Sequence, residues 1–234
     1  MNQYFENNKN LKSDINKIDA IVKDTSFIFY TDNGVFNKKG LDYGTKLLLE
    51  NIDLNNKTLF LDVGCGCGPI GIYIGKQNKS YTVDMIDVNE RAVHLCNMSK
   101  KENNLNNINI FISDAYTNIN NKYDCIITNP PIHAGKKKVY EIISDAKDYL
   151  NENGELWVVI RKDQGAKSLM NDMSNIYNIQ IIKKDKGFFI LCFQKIWHIF
   201  IIMLKYTSCF ERKGYIYENR YIKSLCIKWK RSKI

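Results

Sequence analysis

Asn129, Pro130 and Pro131 form the stretch of this chain with the clearest capacity for chemistry. An exocyclic amine on a nucleobase is planar, with its lone pair delocalised into the ring, so it attacks a methyl group poorly. Two acceptors, the Asn129 side-chain oxygen and the Pro130 carbonyl, can hold both amine hydrogens and aim the nitrogen at an electrophile. They also stabilise the positive charge that develops there. Two successive prolines fix that backbone and keep competing N–H donors away. No strong base is needed, since the proton can leave after transfer. Asp62, Asp87 and Asp114 are the other groups of interest, each at the end of an apolar run.

Asp62 stands two residues before Gly64-Cys65-Gly66-Cys67-Gly68, and Pro69 follows where a first helical turn should begin. Strand, tight glycine turn and helix N-terminus let a flat ligand lie against bare backbone at Gly64 and Gly66. Gly66-Cys-Gly68-Pro-Ile-Gly71 also spells a dinucleotide fingerprint, a weak signal alone. A carboxylate at Asp62 repels a pyrophosphate and favours an ammonium or sulfonium. S-adenosylmethionine carries both cations and no phosphate. A structural glycine turn with a solvated aspartate is the plainer alternative. Cys65 and Cys67 lack a second thiol pair, so small residues filling a turn is the expectation there, and no metal is expected.

Positioning these groups requires a mostly parallel α/β sheet. Residues 58–63 read as a buried strand, 80–88 as a second ending in Asp87, 108–115 as a third with Asp114 at its carboxyl end, and 123–131 as a fourth ending in Asn129-Pro-Pro. Polar tips of such strands gather along one sheet edge, where ligands bind in open α/β folds. Asp87, 25 residues beyond Asp62, is placed to hold both hydroxyls of a ribose. Helices are expected from Leu41 to Ile52, after Asn89, from Lys136 to Tyr149 and from Ala166 to Met173. A fifth strand runs from Gly154 to Arg161. The last two strands, joined through Lys183–Gly187, are too close for a parallel crossover and must form a hairpin. Residues Met1 to Val22 read as an arm or a short helix with anchors at Tyr4, Phe5 and Leu11, and Thr31-Asp-Asn-Gly34 as a turn with hairpin potential.

Asp62 to Gly68, Asp87, Ser113-Asp114-Ala115 and Asn129-Pro-Pro-Ile132 together resemble the class I S-adenosylmethionine-dependent methyltransferases. Thr31-Asp-Asn-Gly-Val-Phe36, Asp42-Tyr-Gly44-Thr, Asp87-Val-Asn-Glu-Arg-Ala92 and Pro130-Pro-Ile-His-Ala-Gly135-Lys narrow the resemblance. They are similar to the catalytic domain of the small-subunit ribosomal RNA guanine-N2 methyltransferases (RsmC type), over roughly residues 4–194. The resemblance implies a Rossmann-like, mostly parallel seven-stranded sheet with an antiparallel last strand. It implies that Asp62, Gly64 and Gly66 line the methionine end of the cofactor, that Asp87 takes the ribose and that Asp114 accepts from the adenine amine. Cys65, Val88, Ala115 and Asn129 belong to the same cofactor set, and Asp42 and Gly44 help close the pocket. Asn129, Pro130, Pro131 and Ile132 form the catalytic loop. Many amine methyltransferases carry an aromatic residue after the prolines, which stacks on the target base; here Ile132 stands in that place. Adenine-N6 and glutamine-N5 methyltransferases share the Asn-Pro-Pro pattern and remain alternatives, as does a cofactor-binding RNA assembly factor without turnover.

Charge adds little to this. The net charge is +9, yet residues 195–234 hold ten basic and two acidic side chains, leaving the first 194 residues at +1. Any case for RNA rests on local clusters: Lys136, Lys137 and Lys138 open the helix after the catalytic loop, and Arg161-Lys162 follow the fifth strand. Cations at a helix N-terminus oppose its dipole, which favours an anion there; a solvated charge run is the alternative. His133 reads either as a surface histidine or as a contact to substrate or phosphate. Three parts are expected: an arm, strand and helix over 1–52, the methyltransferase core over 53–194 and a basic, aromatic extension over 195–234. That extension reads as a nucleic-acid-binding appendage or as an end that was never selected as a domain; a membrane-surface anchor is a third reading. No signal peptide is expected from Met1-Asn-Gln-Tyr-Phe-Glu, and scattered cysteines fit a reducing cytoplasm.

Overall fold

The computed structural model describes residues 11–196, apart from 37 and 39. Tyr4, Phe5 and the basic, aromatic stretch beyond 196 lie outside the described residues.

A seven-stranded sheet carries the molecule. Its strands are β3 (Leu59–Val63), β4 (Thr82–Asp87), β5 (Ile108–Ile112), β6 (Tyr123–Thr128), β7 (Leu150–Arg161), β8 (Tyr177–Asp185) and β9 (Phe188–Lys195). They lie in the order β5-β4-β3-β6-β7-β9-β8. The first five pair in parallel, and β9 runs antiparallel to both β7 and β8. The chain winds outward from β3 through β4 to β5, then returns to place β6 on the other side of β3. That reversal puts a crevice at the carboxyl ends of β3 and β6.

Each central strand is apolar on both faces because helices cover both. Phe60, Met85, Cys125 and Trp157 face one buried cluster, shared with α1 (Tyr43–Asn51), α2 (Pro69–Gln77) and α3 (Glu90–Glu102). Leu61, Ile86, Ile126 and Val158 face the other, shared with α4 (Lys136–Tyr149) and α5 (Ala166–Met173).

The amino-terminal region departs from expectation. Residues 16–22 are neither arm nor helix but a strand, β1 (Asn16–Val22), paired antiparallel with β2 (Thr25–Thr31). Ala20 and Val22 point inward while Lys17, Asp19 and Ile21 point out, a strand period that the exposed Ile21 breaks in the sequence. The hairpin closes on Lys23-Asp24, with Lys23 at φ 50°, so no glycine or asparagine marks the turn. Asp32-Asn33-Gly34 does not close a hairpin; it carries the chain across the start of α3. β7 also begins at Leu150, four residues before Gly154, and β9 continues through Lys195, one residue past the expected limit of the core.

Candidate active site

A cleft of about 870 Å³ lies along the carboxyl edge of the sheet, reaching from the glycine turn after β3 to Arg161 at the end of β7 and Phe188 at the start of β9. All the expected site residues line it except Gly44, Asp62, Lys136 and Lys137.

At the end beside the glycine turn, backbone geometry dominates. Gly64 and Gly66 take φ values of 69° and 54°, and a Cβ built on Gly66 would meet no atom within 4 Å. The turn therefore presents bare backbone to open space. Asp87 shapes it from the next strand: one oxygen accepts from Gly66 N at 2.8 Å and the other from Asn89 N at 2.9 Å. Burial raises the Asp87 carboxyl above its ordinary value, against the pull of those N–H groups. Each carboxylate oxygen has a second lone pair, so the hydroxyls of a ribose can still donate to it.

Asp62 lies beneath the turn instead of in the cleft wall, 1% exposed. Its Oδ2 accepts from Gly71 N at 3.0 Å, which ties β3 to the first turn of α2. Its Oδ1 is fully buried with no hydrogen-bond partner among the described residues. Burial pushes this carboxyl up to about 7, the Gly71 N–H opposing and the nearby Asp87 charge adding to the rise. An orphaned buried carboxylate oxygen under an open glycine cradle fits a cationic ligand.

Asp114 reaches the cleft with a side chain 60% exposed, where Lys138 Nζ binds it at 2.5 Å and Glu141 at 2.8 Å. Lys138 is thus drawn into the cleft wall. Lys136 sits 3.8 Å from Asp172 and 4.6 Å above the Tyr140 ring, and Lys137 and His133 are exposed.

A strap between β2 and α1 brings Val35 and Phe36 to the cleft. Asp32, 2% exposed, accepts from Ser13 Oγ at 2.7 Å, Asn33 N at 2.7 Å and Arg91 Nη1 at 2.9 Å. Burial opposes its ionisation, yet these donors and Asp14 N hold its carboxyl below the usual value. Arg91 also donates to Asn33 O and Leu11 O, and Asn89 Nδ2 to Gly34 O at 2.9 Å. Two motifs far apart in the sequence, Thr31–Phe36 and Asp87–Ala92, thus pair to hold the strap. Asn89 caps α3 as its sequence position leads one to expect, accepting from Arg91 N at 3.0 Å, whereas its bond to the strap and the Asp32–Arg91 pair had no sequence signal beyond the two motifs that contain them.

The other end of the cleft is built from side chains. Thr128 Oγ1 donates to Val63 O at 2.8 Å and fixes the end of β6 against β3. Asn129 follows, and its Nδ2 donates to Thr45 Oγ1 at 3.0 Å. Thr45 is 2% exposed in the first turn of α1, where its own N–H donates to the Asp42 cap at 3.0 Å. The donor half of the Asn129 carboxamide is thereby engaged, and its oxygen is the half left for a ligand. Pro130 is buried behind it. Ala134 N donates to Pro131 O at 2.9 Å, turning Ile132–Ala134 into one 3-10 turn before α4. Thr45 was not anticipated from sequence, because nothing local links it to a residue 84 positions away.

A winding parallel sheet, an open glycine turn gripped by an aspartate on the next strand and Asn-Pro-Pro on the fourth define the class: a Rossmann-like S-adenosylmethionine-dependent methyltransferase. The chain belongs to the methyltransferase small domain family, whose pattern matches residues 26–192. A Bacillus subtilis protein described as "Uncharacterized protein YbxB" is 37% identical over 197 residues, covering 82% of this chain and 98% of that one. Ribosomal RNA small subunit methyltransferase C of Pseudoalteromonas translucida is 39% identical over 142 residues, 59% of this chain and 41% of its own. The protein of that name from Haemophilus influenzae is 36% identical over 154 residues, 64% of this chain and 46% of its own. The chain thus spans less than half the length of these two ribosomal RNA methyltransferases. In fold it is similar to the T. thermophilus 16S rRNA N2 methyltransferase solved with AdoMet and guanosine, at TM-score 0.68 and 19% identity, over 78% of this chain and 51% of that one. Among the described residues no helix is long and apolar enough to cross a membrane.

Proposed function

We propose that this chain transfers the methyl group of S-adenosylmethionine to the exocyclic N2 amine of a guanine in small-subunit ribosomal RNA. The observation that carries this reading is the Asn129 carboxamide, which lines the cleft with its nitrogen bonded to Thr45, so that its oxygen is the half left for a ligand. Bound there, S-adenosylmethionine supplies a methyl group on a positively charged sulfur. Gly64, Cys65 and Gly66 cradle its methionine end, with the unpartnered Asp62 oxygen below favouring its positive charge. Asp87, beside Val88, takes the ribose hydroxyls, and Asp114, beside Ala115, accepts from the adenine amine.

The Asn129 oxygen and the Pro130 carbonyl hold the two hydrogens of the guanine amine and turn its nitrogen toward the methyl group. Both acceptors stabilise the charge that grows on that nitrogen. Pro131 stiffens the loop and Ile132 packs against the base. Exposed Lys136, Lys137 and His133, just past the loop, meet RNA phosphates; Lys138 reaches RNA only by leaving Asp114. The names of the Pseudoalteromonas and Haemophilus relatives and the guanosine bound in the T. thermophilus structure support ribosomal RNA and guanine as the target.

Mass spectrometry of ribosomal RNA nucleosides from cells lacking this chain tests the reading. One N2-methylguanosine should disappear from the small subunit. Loss of N6-methyladenosine instead, or loss of a methylglutamine from the peptides of the same cells measured in parallel, would move the target to another amine. An unchanged set of modifications would favour an assembly factor without turnover.

A further inference from the structure

Ile132 leaves the catalytic loop without a flat side chain for a base to stack on, yet the cleft is not without one. Its aromatic lining is Phe36, Tyr43 and Phe188. Phe36 lies by the glycine turn, its carbonyl 3.7 Å from Cys67 Sγ. Phe188 lies at the opposite end. Gly44 and Thr45 are consecutive; Thr45 holds Asn129, and a Cβ on Gly44 would stand 2.7 Å from Phe188 Cε1. The Phe188 ring therefore sits one residue along α1 from the group that orients Asn129.

Several contacts fix that ring. Arg161 of β7 is directly opposite Phe188 of β9, and β7 runs parallel to β6, so both reach the edge where Asn129 stands. The Arg161 guanidinium lies 5.5 Å from the ring centroid, itself forked onto Asp163 at 3.1 and 2.9 Å. Tyr43 packs at 5.7 Å from the other direction in the chain, and its hydroxyl donates to Asp185. Lys162 N donates to Gly187 O at 2.8 Å, closing the tip of the β8–β9 hairpin onto β7. The neighbouring Phe189 is 7% exposed and belongs to the core; Phe188 keeps part of its surface in the cleft.

Resting on the nucleobase reading above, we infer that Phe188, with Arg161 alongside, is the platform on which the target base stacks, in place of the aromatic residue absent at Ile132. Bases in single-stranded RNA stack on aromatic rings and on guanidinium planes, and Arg161 also offers a cation to the adjoining phosphate. Gly44 then has a defined purpose in the Asp42-Tyr-Gly44-Thr stretch: any side chain there would push the platform out of place.

The test is methyl transfer to small-subunit ribosomal RNA, with S-adenosylmethionine affinity measured in parallel by calorimetry. Phe188→Leu keeps the apolar volume without the plane and should raise KM for RNA roughly 10-fold or more. Phe188→Tyr keeps the plane and should stay near wild type. Gly44→Ala should resemble Phe188→Leu, and Phe188→Met serves in place of Leu if that variant does not fold. Cofactor affinity should be unchanged in the Phe188 variants. Leu and Tyr variants that behave alike would overturn the platform while leaving the proposed function standing. So would a Phe188→Leu variant whose main defect is in cofactor binding. A wild-type protein that methylates no RNA would overturn the proposed function, and the platform with it.

Discussion

The two ends of the cleft are built on different principles. At the glycine turn, the contiguous Gly64, Cys65 and Gly66, Asp62 beneath them and the tips of β4 and β5 do the work, through bare backbone and carboxylates. At the Asn129 end, side chains from α1, β6, β7 and β9 meet across long stretches of chain. Thr45 and Asn129 are 84 residues apart, and Gly44 and Phe188 are 144 apart. The first arrangement suits a ligand that does not change; the second lets recognition vary while the turn stays fixed. Binding and turnover should therefore separate cleanly when the two ends are altered.

The largest effect is expected at Asn129. Asn129→Ala removes one of two acceptors and should lower methyl transfer by ~10²–10³-fold, the usual cost of losing one preorganised polar contact to transition-state charge. Cofactor affinity should barely move. Asn129→Asp keeps an acceptor but cannot donate to Thr45, so its rate should fall between wild type and Ala.

Altering the other end should do the converse. Asp87→Ala should weaken S-adenosylmethionine binding by ~1.5–3 kcal/mol, the value of hydrogen bonds to a charged acceptor. The rate at saturating cofactor should stay near wild type. Tighter binding of NAD than of S-adenosylmethionine in the same calorimetric titration would contradict the placement of the acids.

A smaller effect sharpens the comparison. Thr45→Val preserves shape but removes the oxygen that receives Asn129 Nδ2, freeing the carboxamide to rotate. We expect a fall in kcat of roughly 10-fold with cofactor affinity intact, from the loss of about one hydrogen bond. Thr45→Ser should recover most of it; a serine variant no better than valine would make Thr45 a packing residue only.

This division also explains what the sequence disclosed. The glycine turn, the strand-end acids and Asn-Pro-Pro are local patterns, each legible because neighbouring residues share one task. The mostly parallel sheet with an antiparallel last strand followed from strands ending in polar tips and from the short β8–β9 link. What stayed hidden was tertiary: the Thr45–Asn129 bond, the Phe188 ring and the pairing of Asp32 with Arg91. The β1–β2 hairpin was missed for a local reason, since Lys23 and Asp24 make a turn without glycine or asparagine. Asp62 was legible as an acid but not in its position, because a strand-end carboxylate can point up into the cleft or down under the turn.

The smallest effect concerns that aspartate and stability. Its folded pKa of about 7 lies above the ~4 of an exposed aspartate, so the folded state binds its proton more tightly. The contribution of this group to the stability of the cofactor-free protein should be fully present below about pH 4 and lost as pH rises through about 7. Asp62→Asn should flatten that decline without abolishing it, because the buried Asp87 is shifted in the same direction. Thermal melts across pH 4–8 read this directly. The variant should melt higher than wild type above pH 7 and bind cofactor more weakly.

The most direct test of the central claim is transfer of a labelled methyl group to small-subunit ribosomal RNA by wild type and by Asn129→Ala, with the labelled nucleoside identified. Labelled N2-methylguanosine from wild type, lost in the variant while its cofactor affinity is retained, is the predicted result. Equal label from both proteins, or label on adenosine, would contradict it.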